Sequence, residues 1–318
     1  MDGAWVYLVT GGCGFVGERI VELLSQQDYI KEVRVFDSVA REEVEKFSTG
    51  KKRASASIQG DIRDPGVLLA AMQGVHVVVH TAALVDYRGT VPFWELRQKS
   101  LGMGNAEQTR LAQMALSSVP LSLCLPQCSR GDEDTEYSGE VELPYGKTKA
   151  MAEKIVREAN GKKREIPAVF LKWNVAWMHV LAARSLQLQP ELLAGQVYYC
   201  YDDTPSRKGF LVRLQLLSSA DPGVRLGSHI PYWKMWLLIQ LHRLIRAILP
   251  PFWRPQPFLN VPLLNTIVTS FSFETDKASR HFGYKPLFSW EQSRLRTAQW
   301  LKAAAGSLAP PQLHGKNN

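Results

Sequence analysis

The sequence predicts an α/β fold, a doubly wound parallel sheet carrying a smaller C-terminal lobe, on three observations. An apolar run, Trp5-Val6-Tyr7-Leu8-Val9, leads into Thr10-Gly11-Gly12-Cys13-Gly14-Phe15-Val16-Gly17, and an apolar-periodic segment from Val16 to Leu24 follows. Strand, glycine turn and helix, in that order, is the context in which Gly-x-x-Gly-x-x-Gly cradles a pyrophosphate. Short β-branched strands then alternate with helical segments, as a parallel sheet requires. Further on, Tyr145 and Lys149 stand four residues apart, at helical spacing. The N-terminal part therefore reads as Rossmann-like.

Gly11 permits the tight turn, Gly14 lets a pyrophosphate approach the backbone, and Gly17 lets the helix pack close to the sheet. Phe15 and Val16 supply further backbone at the phosphates. Val33-Arg34-Val35-Phe36-Asp37 is a buried-strand pattern ending in an acid. An acid there accepts both ribose hydroxyls of adenosine and repels a 2′-phosphate, which favours NAD over NADP. Nearby Arg41 softens that preference. Ile58 to Asp61 reads as a third strand ending at Asp61, with Asp61 and the backbone at Ile62 beside the adenine. Val67 to Met72 reads as a helix, and Val75 to Ala83 as a strand whose small final residues let a cofactor lie close. His80 reads as a packed strand-end histidine rather than a base.

The chain has 318 residues, 45% hydrophobic and 21% charged, enough for a full α/β domain with an appendage. Its net charge of +8 is scattered, in runs no longer than Lys51-Lys52-Arg53, which argues for solvated surface or an anionic membrane face and against nucleic acid. Cys13, Cys124, Cys128 and Cys200 read as free thiols; Cys124 and Cys128 lack the partners of a zinc site, so no metal is expected. Trp5 to Val9 is too short for a signal peptide and runs straight into the glycine turn.

Tyr145 and Lys149 share a helix face. A phenol ordinarily titrates near 10, too high for proton exchange at neutral pH. A lysine ammonium beside it stabilises phenolate, so the tyrosine takes an alcohol proton as hydride departs. In the C-terminal third, Leu237, Leu238, Leu241, Leu244, Ile245 and Ile248 recur at helical spacing within Ile230 to Pro251. Lys234, His242, Arg243 and Arg246 argue against a span and for a helix lying in a membrane interface.

These stretches together resemble the extended short-chain dehydrogenases/reductases. More narrowly they resemble the 3β-hydroxysteroid dehydrogenase/Δ5-isomerase family, and most of all its bile-acid-pathway C27 sterol branch. Tyr7 to Phe15, Val35-Phe36-Asp37, Gln59-Gly60-Asp61, His80-Thr81-Ala82 and Pro144 to Glu153 carry the resemblance, followed by Asn174 to Arg184, Val197 to Asp202 and Thr275 to Trp290. The resemblance implies an NAD-dependent oxidoreductase that turns a 3β-hydroxy-Δ5-steroid into the 3-ketone, with Δ5→Δ4 isomerisation as a further step, in steroid or bile acid biosynthesis. It implies Tyr145 as acid/base and Lys149 as its activator and holder of the nicotinamide ribose. A sterol substrate, the endoplasmic reticulum membrane, a cytosol-facing catalytic domain and compatibility with a homo-oligomer follow from the same likeness. The expected organisation is a nucleotide domain over 1–184, a substrate and membrane lobe over 185–306, and a polar tail over 307–318.

Two intervals depart from the family. Its serine-bearing strand has no counterpart in 98–130, where Ser117, Ser118 and Ser122 lie at workable distances without a strand pattern. The sharp stop and restart there reads as a shifted frame or alternative exon boundary. After Ala168 to Trp173, the family's substrate and cofactor loops are missing, and Trp173 runs directly into Asn174. These departures motivate an alternative, a catalytically impaired form that keeps NAD and membrane binding. A decarboxylating sterol 3-dehydrogenase is another alternative, which Phe282-Gly283-Tyr284-Lys285-Pro286 fits less closely.

Overall fold

The computed structural model describes residues 5–39, 55–83, 91–95, 114–119, 147–148, 151, 166–167, 172–200, 227, 230–248, 259–268 and 276–307. Tyr145, Lys149, Ser122, Arg41, Cys124 and Cys128 lie outside them.

Strands β1 (Trp5–Thr10), β2 (Ile30–Asp37), β3 (Ser55–Gln59), β4 (Val77–His80), β5 (Met114–Val119) and β6 (Ile166–Pro167) form one sheet in the order β3-β2-β1-β4-β5-β6. Every pairing is parallel. The order reverses between β1 and β4, the switch point outside whose strand ends such sheets hold ligands. The ends are level there: Thr10 pairs with Phe36 on one side and His80 on the other, and His80 pairs with Ser117.

Both faces are covered, which is why β1 and β4 read as nearly unbroken apolar runs. On one face Tyr7, Val9, Val77 and Val79 pack against α1 (Gly17–Ser25) and α3 (Lys172–Leu188). On the other, Val6, Leu8, Phe36 and Val78 pack against α2 (Pro65–Met72). A third cluster joins the far side of α3 to Tyr198, Cys200, Ala278 and Tyr284. The C-terminal part adds α4 (Pro190–Leu193), α5 (Tyr232–Ile248), α6 (Val261–Val268), α7 (Lys277–Phe282) and α8 (Trp290–Ser307).

Several boundaries move from the sequence reading. The third strand ends at Gln59, not Asp61, because the Asp61 carboxylate turns back onto the Arg63 N–H and guanidinium. The second helix starts at Pro65, not Val67: the Asp64 carboxylate accepts the Gly66 and Val67 N–H groups and Pro occupies the first turn. The division drawn at 184/185 falls inside α3, whose Ala176, Val180 and Ala183 face the sheet while Val175, Met178 and Ala182 face the C-terminal segment. The atypical interval 98–130 contains β5, so part of it extends the sheet despite lacking a strand pattern.

Candidate functional site

The glycine turn joins β1 to α1 at the switch point. Gly11 has φ +71°, and a Cβ on it would lie 2.5 Å from the Ala82 nitrogen, so the turn presses against the end of β4. Gly17 allows no side chain because a Cβ would collide with the Gly11 carbonyl. At Gly14 the nearest atom to such a carbon is the Gly11 oxygen at 3.0 Å, with nothing else within 4 Å. Gly14 therefore opens outward, and Gly11 and Gly17 fold the turn onto itself.

The start of α1 is prepared for an anion. Its cap residue, Val16, provides no side-chain hydrogen bond, whereas Asp64 caps α2. Among the described residues, the N–H groups of Val16 and Gly17 have no hydrogen-bond partner. Unpaired donors and the positive end of a helix dipole at an outward-facing glycine make a phosphate cradle.

Asp37 ends β2 beside this cradle. Its Oδ2 accepts the Cys13 N–H at 3.0 Å, and its Oδ1 accepts the Val39 N–H at 3.2 Å. The carboxylate is half-buried and keeps acceptor capacity for a ligand hydroxyl. Asp61 follows β3 with its carboxylate engaged by Arg63, and neighbouring Ile62 is buried. Asp61 pairs with Arg63 at the surface and, with the backbone at Ile62, stands just beyond the end of β3.

Sequence reasoning missed what Gly12, Thr81, Thr10 and Trp300 contribute. A Cβ on Gly12 would lie 2.7 Å from Val35 Cγ1, so this glycine lets the turn cross β2. The Thr81 hydroxyl donates to the Thr10 carbonyl at 2.8 Å, tying the end of β4 to the turn. Thr10 Oγ1 and His80 Nδ1 are 2.6 Å apart, which agrees with a packed histidine at the strand end. Phe15, the exposed residue of the turn, meets Trp300 of α8 edge to face at 4.7 Å between ring centres. Only a glycine doublet and a Thr-Ala-Ala ending hinted at any of these.

Around the positions expected to carry acid and base, Tyr145 and Lys149, the described neighbours Lys147, Thr148 and Met151 are helical, with Thr148 buried and Lys147 exposed. Ser117 and Ser118 stand on β5, and Ser117 pairs with His80. Among the described residues no group of three His, Cys, Asp or Glu side chains is arranged for a metal.

A sequence profile of the 3-beta hydroxysteroid dehydrogenase/isomerase family matches residues 8–100 and 168–231. The match breaks off where the atypical interval begins and resumes beyond Tyr145 and Lys149. The rat protein named 3 beta-hydroxysteroid dehydrogenase type 7 is 40% identical, with 96% of this chain and 97% of that protein covered. The human protein of that name is 37% identical, with 95% and 97% covered. The human alignment runs over 366 positions against a chain of 318, so that relative carries residues without a counterpart here. Among solved structures, a dTDP-glucose 4,6-dehydratase from Streptomyces venezuelae with NAD bound superposes with a TM-score of 0.65 at 16% identity, covering 95% of this chain and 98% of that one. A Bacillus anthracis dTDP-glucose 4,6-dehydratase in complex with NAD gives 0.59 at 14%, covering 94% and 97%. At these identities the likeness is one of fold, and it agrees with the sheet order and the doubly wound layers.

Proposed function

The chain belongs to the 3-beta hydroxysteroid dehydrogenase/isomerase family, and from that premise we propose that it is an NAD-dependent oxidoreductase acting on a 3β-hydroxy-Δ5-steroid. The observation that carries the nucleotide part is the turn from Gly11 to Gly17. It combines an outward-facing Gly14, an uncapped helix start and an acid, Asp37, at the end of the next strand. Backbone at Gly14, Phe15, Val16 and Gly17 would hold the diphosphate, Asp37 the adenosine ribose, and Ile62 the adenine edge. NAD bound there supplies the hydride acceptor.

Tyr145 takes the proton of the 3β-hydroxyl, and Lys149 holds the phenol's pKa down and binds the second ribose. Ser117 or Ser118 supplies the hydroxyl that hydrogen-bonds the reacting oxygen; the pairing of β5 with β4 at the switch point supports this. Isomerisation from Δ5 to Δ4 is the further step we assign, in bile acid or steroid synthesis.

Helix α5 supports a membrane-facing role. Trp233, Leu237, Leu241, Leu244 and Ile248 are all exposed and recur every three or four residues, forming one stripe. Ile239, buried, lies off that stripe, and Arg243 and Arg246 follow it at spacings of four and seven. An apolar stripe aimed away from the body, with Lys234 at its edge, Arg243 and Arg246 on the side of Ile239 and no acid on the helix, fits the headgroup region of a bilayer. Among the described residues no helix is long and apolar enough to cross a membrane. We therefore place α5 flat on the endoplasmic reticulum surface, where sterols dissolve.

A second reading, a form that binds NAD without turnover, is favoured by the break in the family match across 101–167. The test uses purified protein, NAD and a 3β-hydroxy-Δ5-sterol. NADH formation that Tyr145→Phe abolishes supports the enzyme. Saturable NAD binding without NADH supports the second reading, and no NAD binding overturns both.

A further inference from the structure

We propose that Trp300, on the C-terminal helix, is a positioning residue for the cofactor, acting through Phe15 on the phosphate turn. The inference rests on the NAD site proposed above and adds that its affinity is set partly from the other end of the chain.

The packing runs in three steps along α8. At its start, the buried Asn174 of α3 fixes the helix: its Nδ2 donates to the Phe288 carbonyl at 3.0 Å and to Ser293 Oγ at 3.3 Å, and its Oδ1 accepts the Phe288 N–H at 3.0 Å. In its middle, the Arg296 guanidinium stands 5.0 Å from the Trp173 ring centre, and Arg19 of α1 stands 4.3 Å from the same ring. One indole thus joins α8 to the first turn of α1 through two cations. One turn further on, Trp300 meets Phe15 edge to face at 4.7 Å.

From Trp290 to Trp300 the helix climbs about 15 Å, at 1.5 Å per residue. That reach carries it from the α3 anchor to the cradle. Phe15 is 41% exposed even with Trp300 against it, and the Val16 and Gly17 that follow it carry the amides left without a partner among the described residues, the ones a diphosphate would use. A small glycine-rich turn has little side chain with which to hold its own shape. The Phe15 ring is the handle by which α8 holds it, so Trp300 sets the pointing of N–H groups it does not touch.

The test measures NAD binding by calorimetry on the full chain, with sterol absent. Aromatic pairs contribute roughly 0.5–1.5 kcal/mol, so Trp300→Ala is expected to raise the Kd for NAD by about two- to tenfold, with Trp300→Phe restoring most of it. Leu295→Ala, exposed on the same helix, leaves the Kd unchanged. Phe15→Ala and the double variant complete a cycle: if Trp300 acts through Phe15, the double variant binds no more weakly than Phe15→Ala alone. Should Trp300→Ala fail to fold, amide exchange of wild type decides, because NAD must then slow exchange in residues 296–304. Unchanged affinity in Trp300→Ala, additive losses in the cycle, or unaltered exchange would each overturn the inference. Wild type that binds no NAD would overturn the nucleotide site itself, a distinguishable failure.

Discussion

Thr10 Oγ1 and His80 Nδ1 lie 2.6 Å apart, both buried, at the ends of the two strands that flank the switch point. The bond joins side chains on one face of neighbouring parallel strands, 70 residues apart in sequence. Thr10→Val keeps the shape but removes the hydroxyl that bonds the buried His80 Nδ1. Such a loss costs about 1–3 kcal/mol. Urea unfolding should show the midpoint falling with an unchanged slope. A loss below about 0.5 kcal/mol would show that the bond does not hold the strand ends together.

Gly14 and Gly17 should separate binding from folding. Gly17→Ala drives a Cβ into the Gly11 carbonyl, backbone against backbone, so the turn itself must move. We expect it to destabilise the protein by more than the roughly 1–3 kcal/mol of ordinary overpacking. Gly14→Ala meets only one atom, at 3.0 Å, and leaves the fold nearly intact. Its new methyl stands where a diphosphate would approach, so the Kd for NAD should rise about tenfold or more, equivalent to ~1.4 kcal/mol. Thermal unfolding and calorimetry on both variants check this, and equal thermal losses would contradict it.

The layers, the parallel sheet and the strand–glycine turn–helix unit were legible because each rests on local pattern. Val6 to Val9 and Val77 to Val79 are apolar on both faces, and three glycines stand between a strand and a helix. What was not legible depends on distant partners. Met114 to Val119 carries no strand signature of its own and extends the sheet by pairing with β4. Asp61 reads as the end of the third strand, yet it lies beyond Gln59 with its carboxylate paired to Arg63 two residues on. Phe15 reads as backbone at the phosphates, and the partner of its ring, Trp300, lies 285 residues away. Asn174 reads as part of a family motif, but its work in the fold is to fix Phe288 and Ser293.

Asp37 divides its two oxygens between the turn and its own strand end. Asp37→Asn keeps an oxygen for the Cys13 N–H while removing the charge, so the fold should stand. Hydrogen bonds to a charged group are worth about 1.5–3 kcal/mol, which translates to a roughly tenfold to hundredfold weaker grip on NAD. The same change removes repulsion toward a 2′-phosphate. The ratio of NAD to NADP affinity should therefore fall, and an unchanged ratio would remove Asp37 from the ribose site.

Acid should destabilise the fold through two histidines. His179 is fully buried in α3, and that burial pushes its pKa below the usual 6.5, although the bond to the Val175 carbonyl at 2.8 Å pulls the other way. Its Nε2 is buried and has no hydrogen-bond partner among the described residues, so a proton there would be unsolvated. His281, bonded to the Tyr198 hydroxyl at 2.9 Å, is lowered by desolvation first and then by Lys277 and Arg280. In both cases the unfolded chain binds the proton more readily than the folded one. Stability is therefore fully present above about 6.5, where both states are neutral, and is lost as pH falls through the lower folded values. Scanning fluorimetry from about pH 8 to about pH 5 should show the melting temperature dropping over the acid half of that range. His179→Gln keeps a side chain able to donate to Val175 yet cannot titrate, so it should flatten that drop even if it lowers the plateau. A variant whose acid limb matches wild type would move the cause away from α3.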